Sequence, residues 1–426
     1  MPQTHFAFGK HGLTLQLPDG LDYQVLQSRS ARGLANVGAA IEAALDVPVS
    51  GPPLREIAAC KRSAAISVCD ITRPTPNRQT LPPILRRLHQ AGIPREAVTI
   101  CIATGLHRPA TPEELRTILG DEIAATYPIL NHDARNVAEH RSLGTTGRGT
   151  PVLIARDFLD ADLHLTLGFI EQHLMLGFSG GRKLVAPGLA AEETIKAIHA
   201  PRFMREPMAT EGSIAGNPLH AELLEIAAMA RHDFLLDVTL TQGREISGVF
   251  AGEPVAAHAA GVDFLRRTSL DPLACLADVV ITSAAGFPLD LNFYQAVKGI
   301  TAAQHLAKPG GRILLIAECA EGAGSPEFSA KLRGFAGSQQ MLDEMARTPV
   351  EVDQWQIEKL ALAGLKYELY FYMPGVRRDG FGSLAARSYA SPEGAVAAVL
   401  DGLPDDARVA LVPEGPYVFA RVGPSS

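Results

Sequence analysis

Residue types that could do chemistry are concentrated in one stretch of the chain, Gly168–His199. An alternating apolar run, Asp162–Thr166, precedes it and predicts a buried strand. The glycine-rich run Gly177–Gly181 then leads to Arg182 and Lys183, where the pattern predicts the first turn of a helix. Free backbone N–H groups at such a turn, together with the helix dipole, favour a bound anion. The stretch therefore predicts a phosphate-binding turn with two cations beside it.

The glycine-rich run does not match either of the familiar nucleotide-binding motifs. A Walker A motif requires serine or threonine after the lysine, and here Leu184 follows Lys183. The spacing of the glycines also differs from a dinucleotide-binding fingerprint. Ser179, Gly180 and Gly181 are therefore candidate contacts to the phosphate of some other cofactor. Lys183 could contact that phosphate or form a covalent link to the cofactor.

Three histidines stand where proton transfer or metal binding is plausible. His107 follows a Thr-Gly turn after a predicted strand, and His173 lies beside Glu171, a carboxylate that could orient its ring. His199 ends a predicted helix and could bind a metal or interact with the helix dipole. A single loop histidine is more often structural, but two on separate strand ends of one sheet favour an acid–base pair.

A second group of residues could bind a carboxylate substrate. Asp70 and Arg73 follow a predicted strand, and the planar guanidinium of arginine matches a carboxylate, although a local Asp–Arg pair is the simpler interpretation. Lys298 could complete the site from a different part of the chain. Tyr294 and Gln295 lie one helical turn before it and could face the same ligand.

The elements that must position these residues follow a repeated order of strand, polar loop and helix. The strands Ala64–Cys69, Val98–Ala103 and Asp162–Thr166 each end in one of the candidate loops, and Thr111 is predicted to cap the helix after the second. A similar region begins with the strand Val279–Ser283. The pattern predicts mainly parallel sheets, whose ligands bind at the carboxyl ends of the strands. The candidate loops are thus expected to converge.

Composition limits the class of protein. The chain has 426 residues, 46% of them hydrophobic, and a net charge of −7, which argues against nucleic acid or an anionic membrane as partner. Its five cysteines show no CxxC spacing, as is typical of reduced thiols. No apolar run is long enough to span a membrane and no signal peptide is evident. These features predict a cytoplasmic protein.

Taken together, the motifs resemble the nickel-dependent lactate racemase family. They are DITRPTP, ATGLHRP, QHLMLGFSGGRKLVAPG, the following His199 and YQAVKG, and they span about Asp70 to Lys298. The resemblance implies two α/β domains with mainly parallel sheets and the active site in a cleft between them. We expect an N-terminal domain over 1–270 and a C-terminal domain over 271–404. The tail 405–426 could return to the first domain.

The resemblance also implies a cofactor and a role for each candidate residue. The cofactor is a nickel-pincer nucleotide, a pyridinium mononucleotide whose carbon and two sulfurs hold the nickel, joined covalently to Lys183. The metal ligand from the protein is His199, and His107 and His173 act as acid and base. Substrate contacts are assigned to Arg73, Lys298 and Trp355, and cofactor contacts to Asp70, Ser179, Gly180, Gly181, Tyr294 and Gln295. Cofactor-biosynthesis proteins are the expected partners.

The expected activity is racemisation of a small 2-hydroxy acid by hydride transfer through a 2-keto acid. Met175, Leu176 and Phe178 suggest an apolar pocket for a short aliphatic group, as in lactate. Arg182 or Arg108 could instead bind a second carboxylate, as a malate-like substrate would require. Two other readings stay open at this point: a phosphate-binding transferase without nickel, and a non-catalytic hydroxy-acid binder.

Overall fold

Residues 2–422 are described by the computed structural model of the chain, and they form two compact units. The first, which we call the lysine unit, comprises Ser30–Ile198 and Ser213–Thr268. The second, the tryptophan unit, comprises residues 2–29, His199–Gly212 and residues 269–422. Each unit has its own sheet and its own apolar core.

The described residues form nineteen strands and fifteen α-helices. In chain order the strands are β1 (Gln3–Phe6), β2 (Leu13–Gln16), β3 (Asp22–Val25), β4 (Ala64–Cys69), β5 (Val98–Ala103), β6 (Ile129–Asn131), β7 (His140–Thr145), β8 (Pro151–Ala155), β9 (Leu163–Phe169), β10 (Gln172–His173), β11 (Gly177–Phe178), β12 (Phe234–Leu240), β13 (Ile246–Gly252), β14 (Leu270–Leu273), β15 (Ala277–Ser283), β16 (Ala307–Ile316), β17 (Glu368–Tyr372), β18 (Arg408–Val412) and β19 (Phe419–Val422). The helices are α1 (Val37–Asp46), α2 (Leu54–Ala58), α3 (Asn77–Gln90), α4 (Pro112–Leu119), α5 (Asp121–Thr126), α6 (Arg156–Leu159), α7 (Glu192–Ile198), α8 (Pro201–Met204), α9 (Pro218–Met229), α10 (Pro254–Ser269), α11 (Phe293–Ala303), α12 (Pro326–Arg333), α13 (Ser338–Arg347), α14 (Gln354–Gly364) and α15 (Pro392–Leu400).

The lysine unit is built on a six-stranded sheet in the order β13-β12-β9-β4-β5-β6. All neighbours are parallel except β13, which runs antiparallel to β12 at one edge. Every residue of β9 is buried, as expected for a central strand whose two faces are both covered. Cys69 of β4 pairs with Ala103 of β5, so the loops that follow these two strands begin side by side.

The tryptophan unit is built on a five-stranded, all-parallel sheet in the order β17-β16-β15-β18-β3. Its central strand β15 sends Val279 and Ile281 into one apolar cluster and Val280 into another, because successive side chains point to opposite faces. Both faces of the sheet are therefore covered.

Among the described residues, no helix combines the length and the hydrophobicity needed to cross a bilayer.

The predicted fold class is confirmed, since both units are α/β with mainly parallel sheets. The grouping of the chain differs from the predicted boundaries at its N-terminus, because β3 pairs with β18 and so belongs to the tryptophan unit. His199–Gly212 also belongs to that unit, although it lies within the range predicted for the first domain. Within the described residues, the tail strand β19 pairs with β14 of the tryptophan unit.

The helix predicted at Arg182 and Lys183 is absent, and this prediction was wrong. Gly181–Leu184 forms a single 3-10 turn, and the next helix, α7, begins only at Glu192. Pro187 follows the turn closely and cannot continue a helix in the usual way, because its ring removes an N–H donor. One turn carries too few aligned peptide groups for a helix dipole to attract an anion.

Candidate functional site

A carboxylate–imidazole pair forms where β4 and β5 end in the lysine unit. Oδ2 of Asp70 lies 2.7 Å from Nδ1 of His107, and Oδ1 of Asp70 accepts a 2.6 Å hydrogen bond from the hydroxyl of Thr72. Asp70 is only 6% exposed, whereas half of the His107 side chain is accessible. The carboxylate is therefore enclosed, and the imidazole is the accessible member of the pair.

The charge state of Asp70 fixes the tautomer of His107. Burial by itself would raise the pKa of Asp70, but the bonds from His107 and Thr72 outweigh it, and the pKa lies below its ordinary value. An ionised carboxylate can only accept, so the proton of a neutral His107 lies on Nδ1. Nε2 then carries the lone pair and can accept a proton from a ligand.

His173 lies on a short hairpin in which β10 and β11 are antiparallel. Its Nδ1 is 3.2 Å from the backbone N of Leu176 and accepts from that N–H, so in the neutral ring the proton is placed on Nε2. The two histidines thus have opposite tautomers: Nε2 is an acceptor in His107 and a donor in His173. In these neutral states His107 can take a proton at Nε2, whereas His173 can release one as an acid only after it has been protonated to the imidazolium.

A buried aspartate, Asp237, forms a hydrogen bond with the backbone of the glycine-rich turn before Lys183. Oδ2 of Asp237 accepts a 2.9 Å hydrogen bond from the N–H of Gly181. Burial raises the pKa of Asp237 to about 7, although the Gly181 N–H and the charge of Arg182 oppose that shift. Gly180 has φ of +86°, and a Cβ at this position would lie 2.3 Å from Oδ2 of Asp237. The close approach of turn and carboxylate therefore requires glycine.

Ser179 and Arg182 support the turn rather than face a ligand. The hydroxyl of Ser179 donates to the carbonyl of Phe169 at 2.8 Å. Arg182 is 2% exposed, and its guanidinium donates to the carbonyls of Leu176, Phe178 and Gly180 at 3.1 to 3.3 Å. Arg182 was predicted to attract an anion, but the turn directs its side chain into the core. We call its hydrogen bonds to the three carbonyls the Arg182 staple.

Replacing Arg182 with methionine is expected to lower the free energy of unfolding by about 3 kcal/mol, since three carbonyls lose a buried donor. For units of this size the loss corresponds to a fall in Tm of about 10 °C. Arg108→Met is a matched control, because Arg108 pairs with Glu114 on the surface at 2.6 Å. Thermal unfolding followed by circular dichroism measures both. Equal shifts in the two variants would show that Arg182 is not a staple.

Lys183 lies on the turn that Asp237 and Arg182 support. It lies in the 3-10 turn between buried neighbours, Arg182 and Leu184, and its own side chain is only partly buried. The backbone around it is fixed by Asp237 and by the Arg182 staple. A partly exposed lysine on a rigid backbone is suited to a covalent attachment.

In the tryptophan unit, His199 packs against Trp355. The ring centroids are 4.5 Å apart, and the indole Nε1 of Trp355 donates to the hydroxyl of Tyr294 at 3.1 Å. Trp355 is 7% exposed, so the indole is mainly a wall behind the imidazole. The structure thus brings His199, Trp355 and Tyr294 together. Trp355 was predicted to contact the substrate, and its observed contacts are with the other two residues.

The remaining predicted residues are placed as follows. Lys298 and Gln295 share one face of α11, and Nζ of Lys298 lies 2.5 Å from Oε1 of Gln295. Arg73 donates to the carbonyl and the hydroxyl of Thr72 at 3.3 and 3.2 Å, so Thr72 links it to Asp70. The simple Asp70–Arg73 ion pair considered from the sequence is not formed.

Asp237 and His258 are supporting residues that the sequence analysis did not select. His258 lies 2.8 Å from Arg182, and burial together with that positive charge lowers its pKa, so the ring is neutral. Asp237 did leave a signal, because a lone carboxylate inside the apolar run of β12 requires a buried partner. His258 left none, since a histidine on a helix is more often structural.

Two family models match the chain. The lactate racemase N-terminal domain matches residues 8–212, and the lactate racemase C-terminal domain matches residues 273–420. Together they account for most of the sequence. All of the predicted site residues lie within these two matched regions.

Characterised relatives and a solved structure agree with these models. The lactate racemase of Thermoanaerobacterium thermosaccharolyticum is 34% identical over 366 residues, 85% of each chain, and that of Lactiplantibacillus plantarum is 33% identical over 384 residues, 89% of this chain and 90% of the other. The lactate racemase apoprotein structure from T. thermosaccharolyticum superposes with a TM-score of 0.88 at 30% identity, covering 99% of this chain and 100% of that one. The chain belongs to the lactate racemase family and is an enzyme of the isomerase class.

Proposed function

We propose that this enzyme racemises lactate, or another short aliphatic 2-hydroxy acid, with a nickel-pincer nucleotide joined to Lys183. The observation that carries the proposal is the 2.7 Å contact between Asp70 and His107, which fixes a proton acceptor at Nε2. The relatives named lactate racemase supply the substrate class. The proposal assigns the covalent attachment to Lys183 and the protein ligand of the nickel to His199.

The residues present fit such a cofactor. Lys183 is a partly exposed lysine on a fixed turn, and His199 offers an imidazole that packs against Trp355. Within residues 2–422, no three His, Cys, Asp or Glu side chains are grouped as an all-protein metal site would require. A cofactor that brings a carbon and two sulfurs to the metal needs only one further donor. A lone histidine is sufficient for that role.

The chemistry divides between cofactor and protein. Racemisation requires an unactivated C–H bond to be broken and remade on the opposite face of a flat 2-keto acid. When bound, the cofactor supplies the acceptor and donor of that hydrogen as hydride. His107 takes the hydroxyl proton at Nε2, and Asp70 stabilises the imidazolium that results. His173 acts as an imidazolium, gives its Nε2 proton to the keto oxygen on the opposite face and becomes neutral, and the reverse reaction starts from neutral His173 and protonated His107.

Arg73 and Lys298 are the proposed carboxylate contacts. A cation held against each carboxylate oxygen would fix the acid while its reacting carbon changes geometry, so that the keto acid turns without leaving. Both side chains are steadied by neutral partners, Thr72 for Arg73 and Gln295 for Lys298.

The structure favours a monocarboxylate over a malate-like acid. Arg182 is buried among carbonyls, and Arg108 forms a two-pronged pair with Glu114 at 2.7 and 2.6 Å. Neither arginine is thus available for a second carboxylate. Met175 and Leu176 are each 3% exposed, so they belong to the core and do not form the apolar pocket expected from the sequence. The argument for a small substrate therefore depends on Arg182 and Arg108, which already have partners and cannot bind a second carboxylate.

The phosphate-binding transferase is less well supported. Its phosphate site required a helix N-terminus and a serine hydroxyl directed at the ligand. The turn after Gly181 is a single 3-10 turn, and the hydroxyl of Ser179 is engaged by the carbonyl of Phe169. The proposed cofactor is also a nucleotide, but its main anchor is the covalent link at Lys183, so it depends less on either feature.

The proposal is tested on protein produced in a host that synthesises the cofactor. We expect a mononucleotide-sized mass adduct on the peptide that carries Lys183, about one nickel per chain, and interconversion of D- and L-lactate with little turnover of malate. A known lactate racemase charged in the same host is the control. An unmodified Lys183 with no nickel, beside a charged control, would exclude the tethered cofactor. Turnover of malate in preference to lactate would exclude the substrate assignment.

A further inference from the structure

We propose that Glu358 and Lys359, on α14 of the tryptophan unit, are positioning residues for His199. They bind the segment His199–Gly212, which we call the His199 segment, to the same helix that carries Trp355. The proposal rests on the proposed role of His199 as the nickel ligand. It concerns how the ring of that ligand is oriented before the metal arrives.

Lys359 binds the His199 segment through two backbone carbonyls. Its side chain is nearly buried, with the residue 8% exposed, and Nζ donates to the carbonyls of Met204 and Ala209, both at 2.8 Å. Burial lowers the pKa of Lys359 to about 8, with the neighbouring Glu358 opposing the shift. One ammonium joined to two carbonyls five residues apart fixes the path of the segment between them.

Glu358 binds the same segment through a side chain. It is fully buried, and its Oε1 accepts from Nε of Arg205 at 2.6 Å. Arg205 also donates to the carbonyl of Leu342 in α13 at 2.6 Å. A buried ion pair gives little net stability, because desolvation offsets the attraction, but it fixes geometry wherever its partners cannot be exchanged. Glu358 and Lys359 therefore hold consecutive parts of the segment.

The same helix also contacts the ring of His199. Trp355 lies three and four residues before the two charged residues, about one helical turn away, and its indole is 4.5 Å from the imidazole centroid. Trp355 is itself fixed by the hydroxyl of Tyr294, and Gln356 donates to the carbonyl of Tyr294 at 3.0 Å. One rigid helix thus sets both the backbone after His199 and the plane behind its ring.

Orientation of this kind matters for a metal ligand. Groups that orient a ligating imidazole typically change metal affinity about 10- to 100-fold when they are removed. A cofactor that needs a single protein donor is especially sensitive, because no second ligand compensates for a misplaced ring. Lys359 binds two backbone carbonyls and Glu358 binds one arginine, although burying each charge is costly. Both contacts are explained if the His199 segment must be held in one place.

The test uses Trp355, the only tryptophan in the chain, as a local reporter beside His199. The variants are Lys359→Met, which removes the ammonium but keeps the length of the side chain, and Glu358→Gln, which keeps an oxygen acceptor for Arg205. Lys366→Met is the matched control, because Lys366 is exposed and lies beyond the end of α14. Acrylamide quenching of tryptophan fluorescence is measured on protein without cofactor, and nickel release to a chelator on protein with cofactor.

We expect quenching of Trp355 to rise several-fold in Lys359→Met, nickel release to become about 10- to 100-fold faster, and both changes to be smaller in Glu358→Gln. Lys366→Met should match the wild type in both. A lower Tm in Lys359→Met with unchanged quenching and release would overturn the proposal, as would faster release without a change at Trp355. If Lys359→Met does not fold, the same criteria apply to Glu358→Gln. If the wild type never holds nickel, the proposed function fails, while the quenching result still decides whether the helix holds the segment.

Discussion

Lys183→Arg is expected to lose racemase activity completely, with no nickel and no mass adduct in protein from a host that makes the cofactor. Arginine keeps the positive charge and a similar length, so the turn should still form. Its guanidinium stays protonated in proteins, so it cannot act as an amine nucleophile. The change therefore removes the attachment and leaves the fold intact.

Intact mass, nickel content and the rate of lactate racemisation measure this effect. Lys196→Arg is the matched control, because Lys196 is a partly exposed lysine of α7 that pairs with Glu192 at 2.6 Å. It should retain the adduct, the nickel and the wild-type rate. A Lys183→Arg protein that keeps nickel and more than about a hundredth of the activity would show that the cofactor binds without a covalent link, and the proposal would need another anchor.

The features of this fold that could be predicted from sequence are those with local causes. The bounds of β4 and β5 were predicted correctly because a run of apolar residues between turn residues has few other structures available. The cap of α4 was predicted for the same kind of reason. The hydroxyl of Thr111 accepts from Glu114 N, and the Glu114 side chain returns a bond to the N–H of Thr111.

The side-by-side placement of Asp70 and His107 was predictable in outline, and their hydrogen bond was not. Parallel pairing of β4 with β5 brings the two loops together, as strand order alone suggests. Which partner Asp70 takes depends on side-chain rotamers within those loops, and Arg73 was an equally good partner on paper. The hydrogen bond between Asp70 and His107 therefore could not be predicted from the sequence alone.

The inward direction of Arg182 and the grouping of His199 had no local signal at all. Arg182 donates to backbone carbonyls, and any residue can supply a carbonyl. His199 belongs to the tryptophan unit because Lys359 and Glu358 bind the residues after it, about 150 positions away in sequence. Long-range contacts to backbone atoms leave no pattern of residue types for a sequence reading to detect.

Asp70→Asn is expected to lower kcat by about 10²- to 10⁴-fold, the range seen when a carboxylate that orients a catalytic histidine is neutralised. The amide cannot stabilise an imidazolium as a carboxylate does. It can also present its NH2 group to His107, which would reverse the tautomer and place a proton on Nε2. The base at Nε2 would then be lost in the ground state.

The pH dependence of the wild type follows from the lowered pKa of Asp70. The pKa of Asp70 is lower in the folded protein than in the unfolded chain, so its ionised form stabilises the fold. This contribution to stability is fully present above about pH 3.8, the ordinary pKa of an aspartate, and is lost as the pH falls through the folded pKa. Asp70 thus stays ionised throughout neutral and mildly acidic conditions. The wild-type pH–rate profile between pH 5 and 9 is accordingly set by other groups, and the defect of Asp70→Asn should persist across that range.

Thr72→Val separates orientation of the carboxylate from its charge. The Thr72 hydroxyl bonds to Oδ1 of Asp70, while His107 bonds to Oδ2, so this variant leaves the carboxylate and its contact with the imidazole in place. The hydroxyl also accepts from Arg73 at 3.2 Å, so we expect kcat to fall by no more than about tenfold from the bond to Asp70 and the loss of the Arg73 bond to appear in KM. Steady-state kinetics in both directions of racemisation compare the two variants. An Asp70→Asn enzyme within threefold of the wild type would mean that His107 does not depend on the carboxylate, and the acid–base assignment would then have to begin from His173.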